Sequence, residues 1–253
     1  MKIYKIFKLF VLFMLIAGEC VVSECYAKSN TVILITDPKI LSIMVLDNHE
    51  PMVDLKNQKD IVLGPSPEIP NNTDYTMMRK TVYEKLLQAQ KSLPNGLRFC
   101  LYEGYRSLHL QKMLFDNRFA KVKMQHPDWT HDEIFIETTR LVSPVMNLDG
   151  SKNIPPHSTG AAVDVYLIDE KGHAVDMGIH PKDWMLDDDG SVSVTSSNII
   201  SAEAQHNRQI MNHVLEKVGF VNYPTEYWHW SYGDRYWAYH KNMPHAIYGS
   251  VEK

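Results

Sequence analysis

Cysteine is scarce in this 253-residue chain, which has three: Cys20, Cys25 and Cys100. The first two fall in an N-terminal stretch that reads as a removable leader, so the remaining chain keeps one cysteine and can form no internal disulfide. Cys100 lies in the strand-like run Leu97 to Tyr102 with no activating partner nearby, and reads as a small buried hydrophobe. A surplus of charge of either sign is missing too. Lys and Arg number 26 against 30 Asp and Glu, interspersed, for a formal net charge of -4. Such a balance creates no field that would favour nucleic acid or an anionic membrane surface, so a polyanion partner is not expected. There is no internal repeat, no low-complexity tract and no glycine-rich phosphate loop, which removes the nucleotide-cofactor classes.

Long hydrophobic runs are likewise absent, the nearest being Leu9 to Ala17, preceded by Lys2, Lys5 and Lys8. Gly18, Glu19 and Cys20 interrupt it, leaving an apolar core shorter than the roughly 20 residues that cross a bilayer. A polar stretch follows and ends in Cys25-Tyr26-Ala27, with small residues one and three positions before Lys28. This is the layout of a secretory signal peptide over residues 1–27. It predicts an exported, periplasmic or extracellular mature chain over residues 28–253, with no stable membrane span after cleavage. Glu19 and Glu24 stand directly before the two leader cysteines, which argues against a lipoprotein.

The mature chain is long enough, and at 44% hydrophobic content apolar enough, to bury one full core. Short β-branched runs at Thr31–Ile35 and Ile43–Leu46 read as strands. Met78, Val82, Leu86, Ala89 and Leu93 recur at helical spacing and predict a helix over Asp74–Leu93, stopped by Pro94-Asn95-Gly96. A strand over Leu97–Tyr102 and helices over Leu108–Met124 and Thr130–Leu141 follow, the last opened by a capping-box pattern at Thr130 and Glu133. Beyond an irregular loop, Ala161–Ile168 reads as a strand with a short return at His173–Asp176. A helix over Ser201–Val218 and strands around Phe220–Tyr223 and Tyr227–Tyr232 complete the chain. Helices and strands mix without βαβ alternation, which predicts an α+β single domain.

Three polar clusters carry chemistry. In Pro155-Pro156-His157-Ser158-Thr159-Gly160-Ala161-Ala162-Val163-Asp164, a histidine and an aspartate lie seven apart, on opposite faces of any unbroken strand. Both can reach one metal only if the chain bends between them, and Gly160 permits a bend. Standing alone, His157 is an ordinary loop histidine. In Glu226-Tyr227-Trp228-His229-Trp230, a carboxylate and an imidazole lie three apart in an aromatic stretch that reads equally as a core strand. A catalytic zinc needs three protein ligands and a free carboxylate near its water, and the two clusters together contain such a set. Arg106, just past a strand in Tyr102-Glu103-Gly104-Tyr105-Arg106, is either an oxyanion stabiliser or half of a surface ion pair. A second Glu-x-x-His at Glu170 and His173 suggests a di-iron site, but Lys171-Gly172 breaks any helix there.

In this order, Gly-Tyr-Arg, His-x-x-Gly-x-Ala-x-Asp and Glu-x-Trp-His resemble the D-alanyl-D-alanine dipeptidases within the zinc D,D-peptidases, over about Thr73 to Gly233. The resemblance implies a mainly antiparallel sheet flanked by helices and one zinc ion per chain, held by His157, Asp164 and His229. It implies Glu226 as general base, Arg106 as the transition-state arginine, and Asp183 as a candidate for the substrate ammonium. The family commonly has a serine two positions before its first histidine, where this chain has Pro155. The expected reaction is hydrolysis of a small dipeptide, D-Ala-D-Ala. The alternatives are a D,D-carboxypeptidase trimming peptidoglycan stems and a non-catalytic zinc-containing wall-binding module.

Overall fold

The structure, a computed structural model, describes residues 32–70 and 72–251. The leader therefore lies outside the described residues, and no described helix is long and apolar enough to cross a membrane.

The chain enters through a single helical turn, α1 (Pro38–Leu41), capped by Asp37, whose side chain accepts from the Lys39 amide. Strands β1 (Met52–Asp54) and β2 (Val62–Leu63) precede β3 (Met77–Arg79) and helix α2 (Lys80–Gln90). Then come β4 (Arg98–Glu103), α3 (Leu108–Gln125) and α4 (His131–Thr138). After a long loop follow β5 (Ala162–Ile168), α5 (Ala202–Lys217), β6 (Val221–Asn222), β7 (His229–Ser231) and α6 (Arg235–His240).

Five strands form the central sheet in the order β2-β4-β5-β7-β6. β2 runs parallel to β4 and every other pairing in this sheet is antiparallel, which agrees with the α+β, mainly antiparallel expectation. β5 is its axis, and all seven of its residues are buried. Val163, Val165 and Leu167 on one face are fully enclosed in the main core with Phe99 and Leu101 of β4 and Val82 and Leu86 of α2. Burying each such side chain contributes about 1.5–3 kcal/mol. The other face carries Asp164, Tyr166 and Ile168, and it is this face that the site uses, because alternate residues of a strand point to opposite sides.

Several sequence expectations are shifted. The helix expected over Asp74–Leu93 begins at Lys80, because Met77–Arg79 instead pair their backbone with β1 in a separate two-stranded ribbon. Residues 33–35 and 43–46 are not strands: Ile35 packs with Ile40, Tyr223 and Tyr236 in a satellite cluster, and Val45 makes one parallel bridge to Ala246. Packing of Ile35 against the satellite cluster holds the first segment, and the second is limited to pairing with the 246–247 backbone. The return expected at His173–Asp176 is one bridge between Ile168 and Ala174. The capping box of α4 is present, with the Thr130 amide donating to Glu133 Oε2 at 2.8 Å. Cys100 is buried, and burial pushes its thiol pKa up.

Candidate active site

His157 sits in a 3-10 turn (Pro156–Thr159) that Pro155 and Pro156 help hold open and Gly160 ends. Gly160 has φ +70, the left-handed region that glycine occupies without strain, and this is the bend that brings His157 back over Asp164. Gly104 allows a second close approach. A Cβ there would lie 2.5 Å from the Met77 carbonyl oxygen and 2.8 Å from that of Tyr75. The Gly104 carbonyl faces His157 Nδ1 at 2.7 Å. A carbonyl only accepts, so Nδ1 carries the proton and Nε2 keeps its lone pair for a metal.

His229 opens β7 and stands directly opposite Asp164 of β5, so the two side chains share one face of the sheet. Asn222 Nδ2 donates to the carbonyls of both Glu226 and His229 at 3.0 Å, fixing the connection between β6 and β7 that carries the pair. His229 Nδ1 is 3.1 Å from His157 Nε2 and 3.1 Å from Asp164 Oδ1, and His157 Nε2 is 3.3 Å from Asp164 Oδ1. Donor atoms bonded at 2.0–2.1 Å to a tetrahedral zinc lie about 3.3–3.4 Å apart, so this triangle fits one such ion with a fourth position left over. Among the described residues, these three form the one His/Cys/Asp/Glu group close enough to hold a metal.

The electrostatics follow from the packing. Burial alone would raise the Asp164 carboxyl, but His157 and His229 outweigh it and hold Asp164 well below the carboxylate range. Glu226 goes the other way: burial and the charge of Asp164 push it well above its ordinary value, with His157 and Arg106 opposing. Its Oε2 is 3.7 Å from His229 Nδ1, close to the triangle and outside it. A carboxylate beside a metal position, and outside its ligand set, has the placement of a group that exchanges protons with a bound water.

Arg106 bridges the end of β4 and the start of α3, its amide donating to the His157 carbonyl at 3.3 Å. Its Nη2 pairs with Glu103 and stands 4.0 Å from Asp164 Oδ2, and its Nη1 donates to Gln111 Oε1 at 3.1 Å. Its buried Nε has no hydrogen-bond partner among the described residues. A register shift in β4 between Leu101 and Glu103 turns Glu103 toward the face of Asp164, which it then opposes directly.

One cleft is lined by His157, Asp164, His229, Glu226 and Arg106 together. Asp183 is elsewhere: it lies in the 3-10 turn Pro181–Leu186, and both of its oxygens pair with Lys182, at 2.8 and 2.9 Å. Its neighbours Pro181 and Trp184 line the cleft and Asp183 does not. Sequence reasoning missed Glu103, Gln111 and Glu68. The first carried a signal in its position three residues before Arg106, while the other two are brought in by the fold.

A family model described as D-Ala-D-Ala dipeptidase matches residues 62–247. A D-alanyl-D-alanine dipeptidase of Synechocystis is 26% identical over 250 residues, covering 84% of this chain and 96% of that protein. Another from Escherichia coli is 27% identical over 135 residues, which is 53% of this chain and 55% of that protein. Among solved structures, VanYB in complex with D-Alanine-D-Alanine gives a TM-score of 0.41 at 16% identity, covering 80% of this chain and 93% of that one. The vancomycin-resistance D,D-pentapeptidase VanY in complex with Zn(II) gives 0.39 at 14% identity, covering 71% and 86%. The matched segment contains every residue that brings a titratable group to the cleft, and by that match this chain belongs to the D-Ala-D-Ala dipeptidase family of metallopeptidases.

Proposed function

We propose that this protein hydrolyses the D-alanyl-D-alanine dipeptide with one zinc ion held by His157, Asp164 and His229, Glu226 as general base and Arg106 as oxyanion stabiliser. The observation that carries the reading is the triangle of donor atoms 3.1–3.3 Å apart, with the Glu226 carboxylate 3.7 Å from its His229 corner. When bound, zinc supplies Lewis acidity toward a carbonyl oxygen and acidifies water toward a pKa of about 7. Glu226 takes the proton of the attacking water and returns it to the leaving amine. Arg106, held in place by Glu103 and Gln111, offers its unpartnered Nε to the negative charge that develops on the carbonyl oxygen. The Gly104 carbonyl keeps His157 in the tautomer that leaves Nε2 free.

Supplying purified protein with free D-Ala-D-Ala and, separately, with stem pentapeptide tests this. Release of D-alanine from the dipeptide alone supports it. Release from the pentapeptide alone makes the enzyme a D,D-carboxypeptidase, and release from neither leaves a binding module. We further propose that residues 1–27 direct export and are removed, leaving the catalytic domain 28–253. N-terminal sequencing of the secreted protein checks this, with Lys28 expected first; an intact Met1 on cytoplasmic protein would refute it.

A further inference from the structure

Two residues of the cleft lining, Pro181 and Trp184, come from the stretch between β5 and α5, which contributes no strand and carries only the 3-10 turn Pro181–Leu186. No ladder fixes such a segment, so its buried carbonyls need donors from elsewhere. Arg208 of α5, only 1% exposed, supplies them. Its Nε donates to the Met177 carbonyl at 2.9 Å, and its Nη2 to the same carbonyl at 2.6 Å and to that of Val192 at 2.9 Å. Its Nη1 donates to the Val194 carbonyl at 2.6 Å. One side chain thus holds the chain on both sides of the cleft-lining turn.

Among the described residues this guanidinium bonds to no carboxylate, and its face lies over the Tyr227 ring, 4.1 Å from Cζ to the ring centre. Burial pulls it down to about 10, against Tyr227, Asp187 and Asp176, so it stays charged at neutral pH. Burying a charge without an ionic partner is costly, and an apolar side chain would fill the same space without that cost. What an apolar side chain cannot do is gather three carbonyls at fixed distances with one planar fork. Gly178 permits the approach: its φ is +86, and a Cβ there would lie 3.1 Å from Arg208 Nη2 and 2.6 Å from Ile200 Cγ2. Tyr227 grips the same segment, its hydroxyl donating to the Ile179 carbonyl at 2.6 Å and its amide to the Ser193 carbonyl at 3.0 Å. Tyr227 is also the residue that follows Glu226.

Resting on the dipeptidase reading, we infer that Arg208 is a positioning residue for the reaction: it clamps segment 177–194 against Tyr227 and so sets the cleft wall, Pro181 and Trp184, relative to Glu226. Arg208 does not line the cleft and acts only through these residues. The metal triangle does not depend on it, because Asp164 and His229 stand on paired strands and His157 is held by the Gly104 carbonyl. Without Arg208 the wall and the carboxylate lose their fixed relation while the triangle persists. A displacement of about 1 Å in groups that orient a substrate costs up to about 100-fold in rate.

The test compares zinc-loaded wild type with Arg208→Ala, reading zinc content, kcat and KM for D-Ala-D-Ala, and amide hydrogen exchange along the chain. Zinc is expected at the wild-type level, with kcat/KM lower by about 10- to 100-fold and exchange faster in 177–194 but not in β5. Added guanidinium ion at a concentration that leaves wild type unaffected should restore turnover and methylammonium should not, because the fork and not the charge alone is needed. Wild-type kcat/KM, exchange that rises throughout the chain, or no restoration by guanidinium would make Arg208 a structural support and overturn the inference. Should Arg208→Ala not fold, Tyr227→Phe carries the test, since it keeps the ring under the guanidinium and removes only the bond to Ile179. It is expected to speed exchange in the same segment and lower kcat/KM about tenfold, and wild-type kcat/KM in that variant would overturn the inference. Each of these failures leaves the dipeptidase reading intact while wild type cleaves D-Ala-D-Ala; a wild type that does not cleave it overturns both.

Discussion

Glu103 and Asp164 face each other directly across β4 and β5, and the Arg106 guanidinium pairs with the first while standing 4.0 Å from the second. Two carboxylates in direct opposition repel. Arg106 offsets that, and Glu103, fully enclosed, in turn pairs with Arg106 and holds it at the cleft. Removing one partner of a buried pair leaves the other uncompensated, typically at a cost of about 3–5 kcal/mol. Glu103→Ala is expected to lose that much stability in urea unfolding. Glu103→Gln, which keeps an acceptor, should unfold closer to wild type yet turn over at least about tenfold more slowly, because Arg106 is no longer fixed. Wild-type turnover in Glu103→Gln would show that Arg106 needs no such support.

On the proposed reading, metal content is expected to depend on all three corners of the triangle, since two protein ligands are too few for a catalytic zinc site. Elemental analysis of His157→Ala, Asp164→Ala and His229→Ala is expected to find zinc well below one per chain. Treating wild type with a chelator should abolish activity, and added zinc should restore it. Near-stoichiometric zinc in His229→Ala would remove His229 from the site.

The close approach at Gly104 has a mechanical cost if it is filled. Gly104→Ala would set a Cβ 2.5 Å from the Met77 carbonyl oxygen, and backbone on both sides leaves little room to yield. A loss of about 1–3 kcal/mol is expected from the crowding. Turnover should fall with it, because the Gly104 carbonyl holds His157. Thermal unfolding with and without zinc measures the first effect, and a variant as stable as wild type would contradict it.

Acid sensitivity has a source outside the cleft. Burial would raise the Glu50 carboxyl, but the Thr81 and Tyr248 hydroxyls, with Arg79 behind them, hold it below its ordinary value of 4.5. A carboxyl lowered on folding stabilises the fold above its unfolded pKa and loses that contribution as pH falls through the folded value. Glu50→Gln should therefore be less stable than wild type at pH 7, with the difference shrinking below about pH 4.5. Urea midpoints across pH 3–7 give the comparison, and a constant difference would exclude ionisation as its cause.

The pieces of the metal triangle were legible in the sequence as local clusters, since prolines and Gly160 shape the His157 turn and only two residues separate Glu226 from His229, but it was the family resemblance that joined them into one ligand set. The long helices and β5 were legible from periodicity and composition. What was not legible depends on partners distant in the chain. Met77–Arg79 leave the helix because β1 offers them a ladder, which apolar spacing does not reveal. The shift that turns Glu103 toward Asp164 exists only in the pairing of β4 with β5. Glu68, in a proline-rich loop, reaches the cleft because Trp184, 116 residues away, anchors it.

The central claim is that Glu226 acts on water beside the metal without holding the metal, and its most direct test is Glu226→Gln assayed for zinc and for D-Ala-D-Ala turnover on one preparation. Glutamine keeps the shape and a hydrogen bond but cannot accept the proton. Zinc at the wild-type level with turnover reduced about 10²–10⁴-fold is the expected result. Loss of zinc would make Glu226 a ligand, and full turnover with zinc retained would contradict the mechanism.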